Sequence, residues 1–119
     1  MPRYVVGFVL PVPKNKRAAY TKFAKLGRKV FMELGAVDYH ECVADDVKPG
    51  KLTSFPQSVK LKKNEEVWFS WITFKSRRDS DRIMKKVMSD PRMAQIDPTS
   101  VMDGKRMFWG GFKEVVTSS

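Results

Sequence analysis

Between Glu66 and Phe74 the chain carries a run that a half-exposed strand does not carry. Glu66-Val67-Trp68-Phe69-Ser70-Trp71-Ile72-Thr73-Phe74 is rich in β-branched and aromatic residues, which fit an extended, pleated backbone. Successive side chains of a strand point to opposite faces. Val67, Phe69 and Trp71 therefore share one face, and Trp68, Ile72 and Phe74 share the other. A strand with one wet face alternates apolar and polar residues. This one calls for something packed on each side, which suits a central position in a sheet.

Three further strands and two main helices are read around it. Tyr4 to Leu10 is a strand that ends at Pro11-Val12-Pro13, where two missing N–H donors forbid further ladder bonding. From Lys16 to Leu34 the period becomes 3.6. Tyr20, Phe23, Ala24, Gly27, Val30, Phe31 and Leu34 gather on one side of a helix, and Lys22, Lys25 and Lys29 lie opposite. Asn15 is the expected N-cap, and Gly35 the residue of positive φ that stops the helix. Ala36 to Val43 returns to strand. The connection that follows, to about Lys63, is expected to dock through Phe55, Val59 and Leu61, as a short helical turn or an extra edge strand. Ser76-Arg77-Arg78-Asp79 resembles a capping box and opens a helix with the stripe Ile83, Met84, Val87, Met88. Ser89 or Asp90, with Pro91, caps a further short helix to about Ile96. The last strand runs from Arg106 to Val116.

The order β-α-β, a long connection, then β-α-β is that of the α+β ferredoxin-like plait. Its four-stranded antiparallel sheet has the strand order 4-1-3-2 and both helices on one face. The other face is then bare, although the third strand is apolar there. An exposed patch with Trp and Phe marks an interface. The expectation is a single domain over residues 1–119 that forms a two-fold homodimer, sheet against sheet, of the dimeric α/β-barrel type.

The longest apolar run, around Val5 to Val12, is far too short to span a bilayer. The strand at Tyr4 leaves no room for a signal peptide, and a single Cys42 cannot form an internal disulfide. These features lead to the expectation of a cytoplasmic protein with no membrane partner.

Several runs resemble one family. Tyr4-Val5 with Gly7-Phe8-Val9, Glu41-Cys42-Val43 with Asp45-Asp46-Val47, Pro49-Gly50-Lys51 and Thr53-Ser54-Phe55 are among them. So are Phe69-Ser70-Trp71-Ile72, Met88-Ser89-Asp90-Pro91-Arg92-Met93, and Asp103-Gly104-Lys105-Arg106-Met107 with Gly110-Gly111-Phe112. Together they resemble the bacterial YbaA-like family over nearly the whole chain. The resemblance implies a dimeric α/β-barrel fold. The function of that family is unknown, so it brings no catalytic residues with it. The family pattern often has an acidic residue where this chain has Val6, and any role of that carboxylate is absent here.

Chemistry-bearing residues are sparse. Asp38, His40 and Cys42 project to one face of a strand, but alternate positions lie roughly 6.7 Å apart, and no second His completes a metal site. They read as a polar edge-strand face, with no metal. Glu41 is the best-placed carboxylate, because it shares a face with Val37, Tyr39 and Val43 and burial raises a carboxyl pKa. Arg106, with Lys105, follows a tight Asp103-Gly104 turn and can reach an anionic group. Glu41 and Arg106 are thus the weak catalytic candidates. Gly7 and Gly110-Gly111 fall at the centres of neighbouring strands. They form either a bulge or the floor of a ligand pocket walled by Phe8, Trp71, Phe108 and Trp109. No phosphate loop, dinucleotide fingerprint, nucleophile elbow or zinc spacing occurs, and no cofactor is expected.

The formal net charge is +10. Residues 14–34 hold seven basic side chains and one acid, and residues 75–86 hold six and two, which accounts for the whole excess. It lies on the two main helices. The RNA-recognition motif shares this element order but reads RNA from aromatics on its sheet face, and the third strand lacks that module's signature. Nucleic-acid binding is therefore not expected. The leading expectation is a small-molecule-binding dimeric α/β-barrel protein, with enzymatic activity of the cofactor-light kind left open. The alternative is a non-enzymatic module that binds RNA or another polyanion through its basic helices.

Overall fold

The computed structural model describes residues 2–118. Its main elements are β1 (Tyr4–Pro13), α1 (Arg17–Leu34), β2 (Asp38–Val43), α2 (Phe55–Ser58), β3 (Glu65–Phe74), α3 (Arg77–Met88) and β4 (Phe108–Lys113). The strands form one sheet in the order β2-β3-β1-β4, with every neighbouring pair antiparallel. This is the α+β ferredoxin-like plait, with β3 and β1 at the centre.

Local chemistry explains most boundaries, including those that differ from the sequence reading. β1 continues through both prolines, with Pro11 opposite Val67 and Pro13 opposite Glu65. The Lys14 N–H donates to the Asn64 carbonyl at 2.7 Å, so even-numbered residues here turn their backbone toward β3. Pro11 and Pro13 turn theirs the other way, beyond the last β1–β4 pair at Val9 and Phe108, where no ladder partner is lost. Asn15 does not cap α1. It sits in a 3₁₀ turn, and Lys16 precedes α1 without a side-chain cap. Arg17 instead fixes the helix start, gripping Glu66 of β3 through Nε–Oε1 at 2.8 Å and Nη2–Oε2 at 2.6 Å. Gly35 ends α1 at φ 114°, a conformation that strains any side chain. Ser76 caps α3, accepting the Asp79 N–H at 3.1 Å. The helix expected after Pro91 is a 3₁₀ turn, Met93–Gln95. β4 is shorter than expected because its partner β1 begins at Tyr4, opposite Lys113.

α1 and α3 pack on one face. Val30, Phe31, Ile83 and Val87 meet Val6, Ile72 and Phe74 in one cluster, and Tyr20 and Ala24 meet Leu10, Val12 and Trp68 in another. Each of the Val, Leu, Ile and Phe side chains buried here contributes about 1.5–3 kcal/mol. The connection after β2 resolves as a helical turn, α2, with Ser54 accepting the Gln57 N–H. Val59 is 1% exposed against Val9 and Val67, so this connection covers one end of the opposite sheet face. The remainder of that face is bare. Phe69, Phe108 and Phe112 are 41%, 48% and 65% exposed. Among the described residues no helix is long and apolar enough to cross a membrane.

Candidate functional site

The two sheet faces hold two different concavities. The first lies between the sheet and the helices and has a volume of about 250 Å³. Phe8, Leu10 and Ile72 form its floor, Tyr20, Phe23 and Phe31 of α1 one wall, and Met84, Met93, Met102 and Met107 the opposite one. Methionine is unbranched and adaptable, so this wall can fit varied apolar shapes. The segment that supplies Met93, Pro98, Met102 and Met107 is pinned at both ends. Arg92 bonds Asp90 and reaches Glu33 of α1 at 2.6 Å. Arg106 pins the far end.

Glu41 brings the one carboxyl group into this chamber. It projects from β2 opposite Ser70 of β3. Tyr20 of α1 donates to Oε1 at 2.9 Å, and Tyr39 donates to Oε2 at 2.8 Å. Burial pushes the Glu41 carboxyl above the usual carboxylate range, while hydrogen bonds from Tyr39, Tyr20 and Ser70 pull the other way. Desolvation dominates. The same burial, beside the Glu41 charge, drives both tyrosine hydroxyls far above their ordinary range, so they are donors at every ordinary pH. The result is a carboxyl group at the edge of an apolar chamber, oriented by two phenols that do not ionise. Tyr20 is itself fixed edge-on to Trp68, with ring centroids 4.8 Å apart.

The second concavity lies on the bare face and has a volume of about 530 Å³. Gly7 and Gly110 pair directly across β1 and β4 at its centre, with Val5, Val9, Phe69, Trp71, Phe108 and Phe112 around them. A side chain at Gly7 would meet nothing within 4 Å. Phe8 and Trp109 border this groove too, but their rings pack together on the helix side, with centroids 6.3 Å apart. Gly111 also lies on the helix side, where the Tyr4 ring occupies the space above it. The seven residues read from the sequence as one pocket thus divide between two faces, by the alternation of the strands that carry them.

Arg106 stands apart from both concavities. Its guanidinium grips Glu65 through Nη1–Oε1 at 2.7 Å and Nη2–Oε2 at 2.5 Å. Its Nε donates to Asp103 at 2.8 Å, and Nη1 also reaches the carbonyls of Val59 and Lys60. These bonds leave at most one N–H for a ligand. The side chain ties the Asp103-Gly104 turn and the α2 connection to the start of β3, and it holds the Glu65 carboxyl below the usual range. This is a structural clamp.

Asp38, His40 and Cys42 lie on the bare-face side of β2, an edge strand. His40 stacks on Trp71, with centroids 4.5 Å apart and planes 22° from parallel. Among the described residues no group of three or more His, Cys, Asp or Glu side chains is arranged to hold a metal.

Comparison with known proteins agrees with this architecture. The profile of a family described as "Protein of unknown function (DUF1428)" matches residues 3–104. The chain belongs to the DUF1428 family. It is 45% identical over 114 residues to the uncharacterized protein YbaA of Escherichia coli K12, a match covering 96% of this chain and 97% of YbaA. The YbaA of Shigella flexneri matches to the same extent. Among solved structures, a Bacillus cereus protein provisionally described as an antibiotic biosynthesis monooxygenase superposes with a TM-score of 0.57. The superposition covers 100% of this chain and 99% of that one at 8% identity, which establishes the shared fold alone.

Proposed function

We propose that this DUF1428 protein binds a small, largely apolar molecule in the chamber between its sheet and helices, with Glu41 accepting a hydrogen bond or a proton from it. The observation that carries this reading is the Glu41 carboxyl, held by Tyr20 and Tyr39 at 2.9 and 2.8 Å in an otherwise apolar cavity. A buried carboxyl costs stability unless it is satisfied, and apolar pockets with a few convergent polar groups are the usual form of ligand sites. Any reaction here is one that a single base can promote, with the tyrosines as positioning residues.

The second part of the reading is a homodimer through the bare sheet face. Phe69, Trp71, Phe108 and Phe112 form an apolar surface around the Gly7–Gly110 pair, and in a dimer the groove there receives the partner's side chains or a ligand shared by two chains. With Cys42 exposed and free, the reading also makes the protein cytoplasmic. The basic excess lies on the helices, away from the exposed aromatics of the sheet, so charge and stacking surface do not meet as an RNA site needs.

Titration with the neutral fluorophore N-phenyl-1-naphthylamine tests the chamber. The expected result is saturable binding that falls about tenfold or more when Met102→Trp fills the cavity. Equal binding by the filled, folded variant overturns the reading and assigns the probe to the sheet face.

A further inference from the structure

A third depression, of about 260 Å³, lies against the other flank of α1. Its inner wall is made of Tyr39 and Glu41, the same two groups that end the apolar chamber. Its apolar wall is Ala24 and Trp68, and its rim is Thr21, Lys25 and Arg28. Lys25 and Arg28 are one helical turn apart and exposed, so both project from one side of α1. Neither takes part in an ion pair among the described residues, whereas Arg17, Arg77, Arg82, Arg92 and Arg106 all do. The Arg28 charge is felt at the Tyr39 hydroxyl, which it biases toward ionisation. Glu41 is consequently reached from two directions, through an apolar chamber and through a basic mouth.

We propose that this mouth is a subsite for a small carboxylate with an apolar body. The carboxylate pairs with Lys25 and Arg28, the body lies on Trp68 and Ala24, and the bound molecule meets Glu41 and Tyr39. Arginine offers a carboxylate two parallel donors and lysine adds a mobile point charge, so an anion is preferred here over a neutral molecule of the same shape. The subsite stands on its own residues and does not require the apolar chamber to hold a ligand.

Benzoate and benzyl alcohol are the matched probes, read by amide chemical shifts in the ¹⁵N-labelled protein. Benzoate is expected to move the resonances of Thr21, Lys25, Arg28, Tyr39 and Trp68, with benzyl alcohol far weaker. The pair Lys25→Gln and Arg28→Gln is expected to weaken benzoate about tenfold. Lys85→Gln with Lys86→Gln, on the exposed side of α3, removes the same charge and is expected to leave benzoate within about twofold. Equal weakening by both pairs overturns the proposal in favour of diffuse attraction to a basic protein. So does equal affinity for the alcohol, or the absence of saturable shifts at these residues. The chamber is tested by a different, neutral probe and by Met102→Trp, so either reading can fail without the other.

Discussion

The hydroxyl of Tyr39 occupies the space that a side chain at Gly27 would need. A Cβ built at Gly27 would lie 2.8 Å from that oxygen, and the same oxygen donates to Glu41 at 2.8 Å. Gly27 is buried in the middle of α1, where glycine costs about 1 kcal/mol relative to alanine. That cost is accepted where the helix comes down on the tyrosine that orients the candidate base. Gly27→Ala is therefore expected to be neutral or destabilising in the wild-type chain. In the Tyr39→Phe background, where the oxygen is gone, it is expected to stabilise by about 1 kcal/mol. Urea unfolding of the four proteins checks this. Equal effects of Gly27→Ala in both backgrounds would show that the contact carries no energy.

Glu41 gives a pH dependence with a definite sign. Its folded-state pKa is raised by burial, so between the ordinary carboxyl value and that raised value the folded protein holds a proton that the unfolded chain has lost. Stability then falls as pH rises through this window, and above it the ionised carboxylate is a standing cost. Glu41→Gln cannot ionise. Its stability relative to wild type is expected to be more favourable at pH 7 than at pH 4, measured by denaturant unfolding at both values. A difference of the opposite sign would mean that the two tyrosine bonds outweigh desolvation.

The plait was legible from the sequence because its signals are local and strong. The double-faced run at Val67 to Phe74, the 3.6 period from Tyr20 to Leu34, and the Ser76 and Gly35 caps each name an element. Their order then names the topology, and the strand order follows. Glu41 was legible as a half-buried carboxylate because strand alternation sets it beside Tyr39 and Val43. Its partner Tyr20 was not, since it lies on another element and reads simply as one position of an apolar stripe. Strand parity also assigns Phe8, Trp109 and Gly111 to the helix side, and treating neighbouring strand centres as one pocket overlooked it. Arg106 looked available because its partner Glu65 is 41 residues away in sequence and no local pattern announces a clamp of that kind.

That clamp predicts a specific asymmetry. Glu65 and Arg106 side chains are 5% and 16% exposed, so removing the arginine leaves a carboxylate with little water to replace it. Arg106→Met alone is expected to cost about 3–5 kcal/mol. Adding Glu65→Gln should recover a substantial part of that loss, because the stranded charge disappears. The single variant should also lose stability as pH rises, since its Glu65 no longer has the partner that keeps its pKa low, whereas in the wild type the pair contributes above the ordinary carboxyl range and fades as pH falls. Thermal unfolding of the three proteins at two pH values reads both effects. A double variant as unstable as Arg106→Met would show that the bonds to Val59 and Lys60, rather than charge pairing, account for the clamp.

The bare sheet face yields the last prediction. Phe69 is 41% exposed and borders the groove around Gly7 and Gly110, its ring against Phe55 of α2 and Trp71 of its own strand. A lysine at Phe69 in an isolated chain reaches water readily and costs little. In a dimer built sheet against sheet the two-fold axis brings each substitution in twice, and the buried ammonium groups are unpaired. Sedimentation at micromolar concentration is therefore expected to show a dimer for the wild type and a folded monomer for Phe69→Lys, with little change in far-ultraviolet circular dichroism. Lys85→Gln, on the outer side of α3, should leave the dimer intact. A wild-type monomer at these concentrations, or a Phe69→Lys dimer of unchanged stability, would exclude this face as the interface. The exposed aromatic surface would then have to be covered by a different partner.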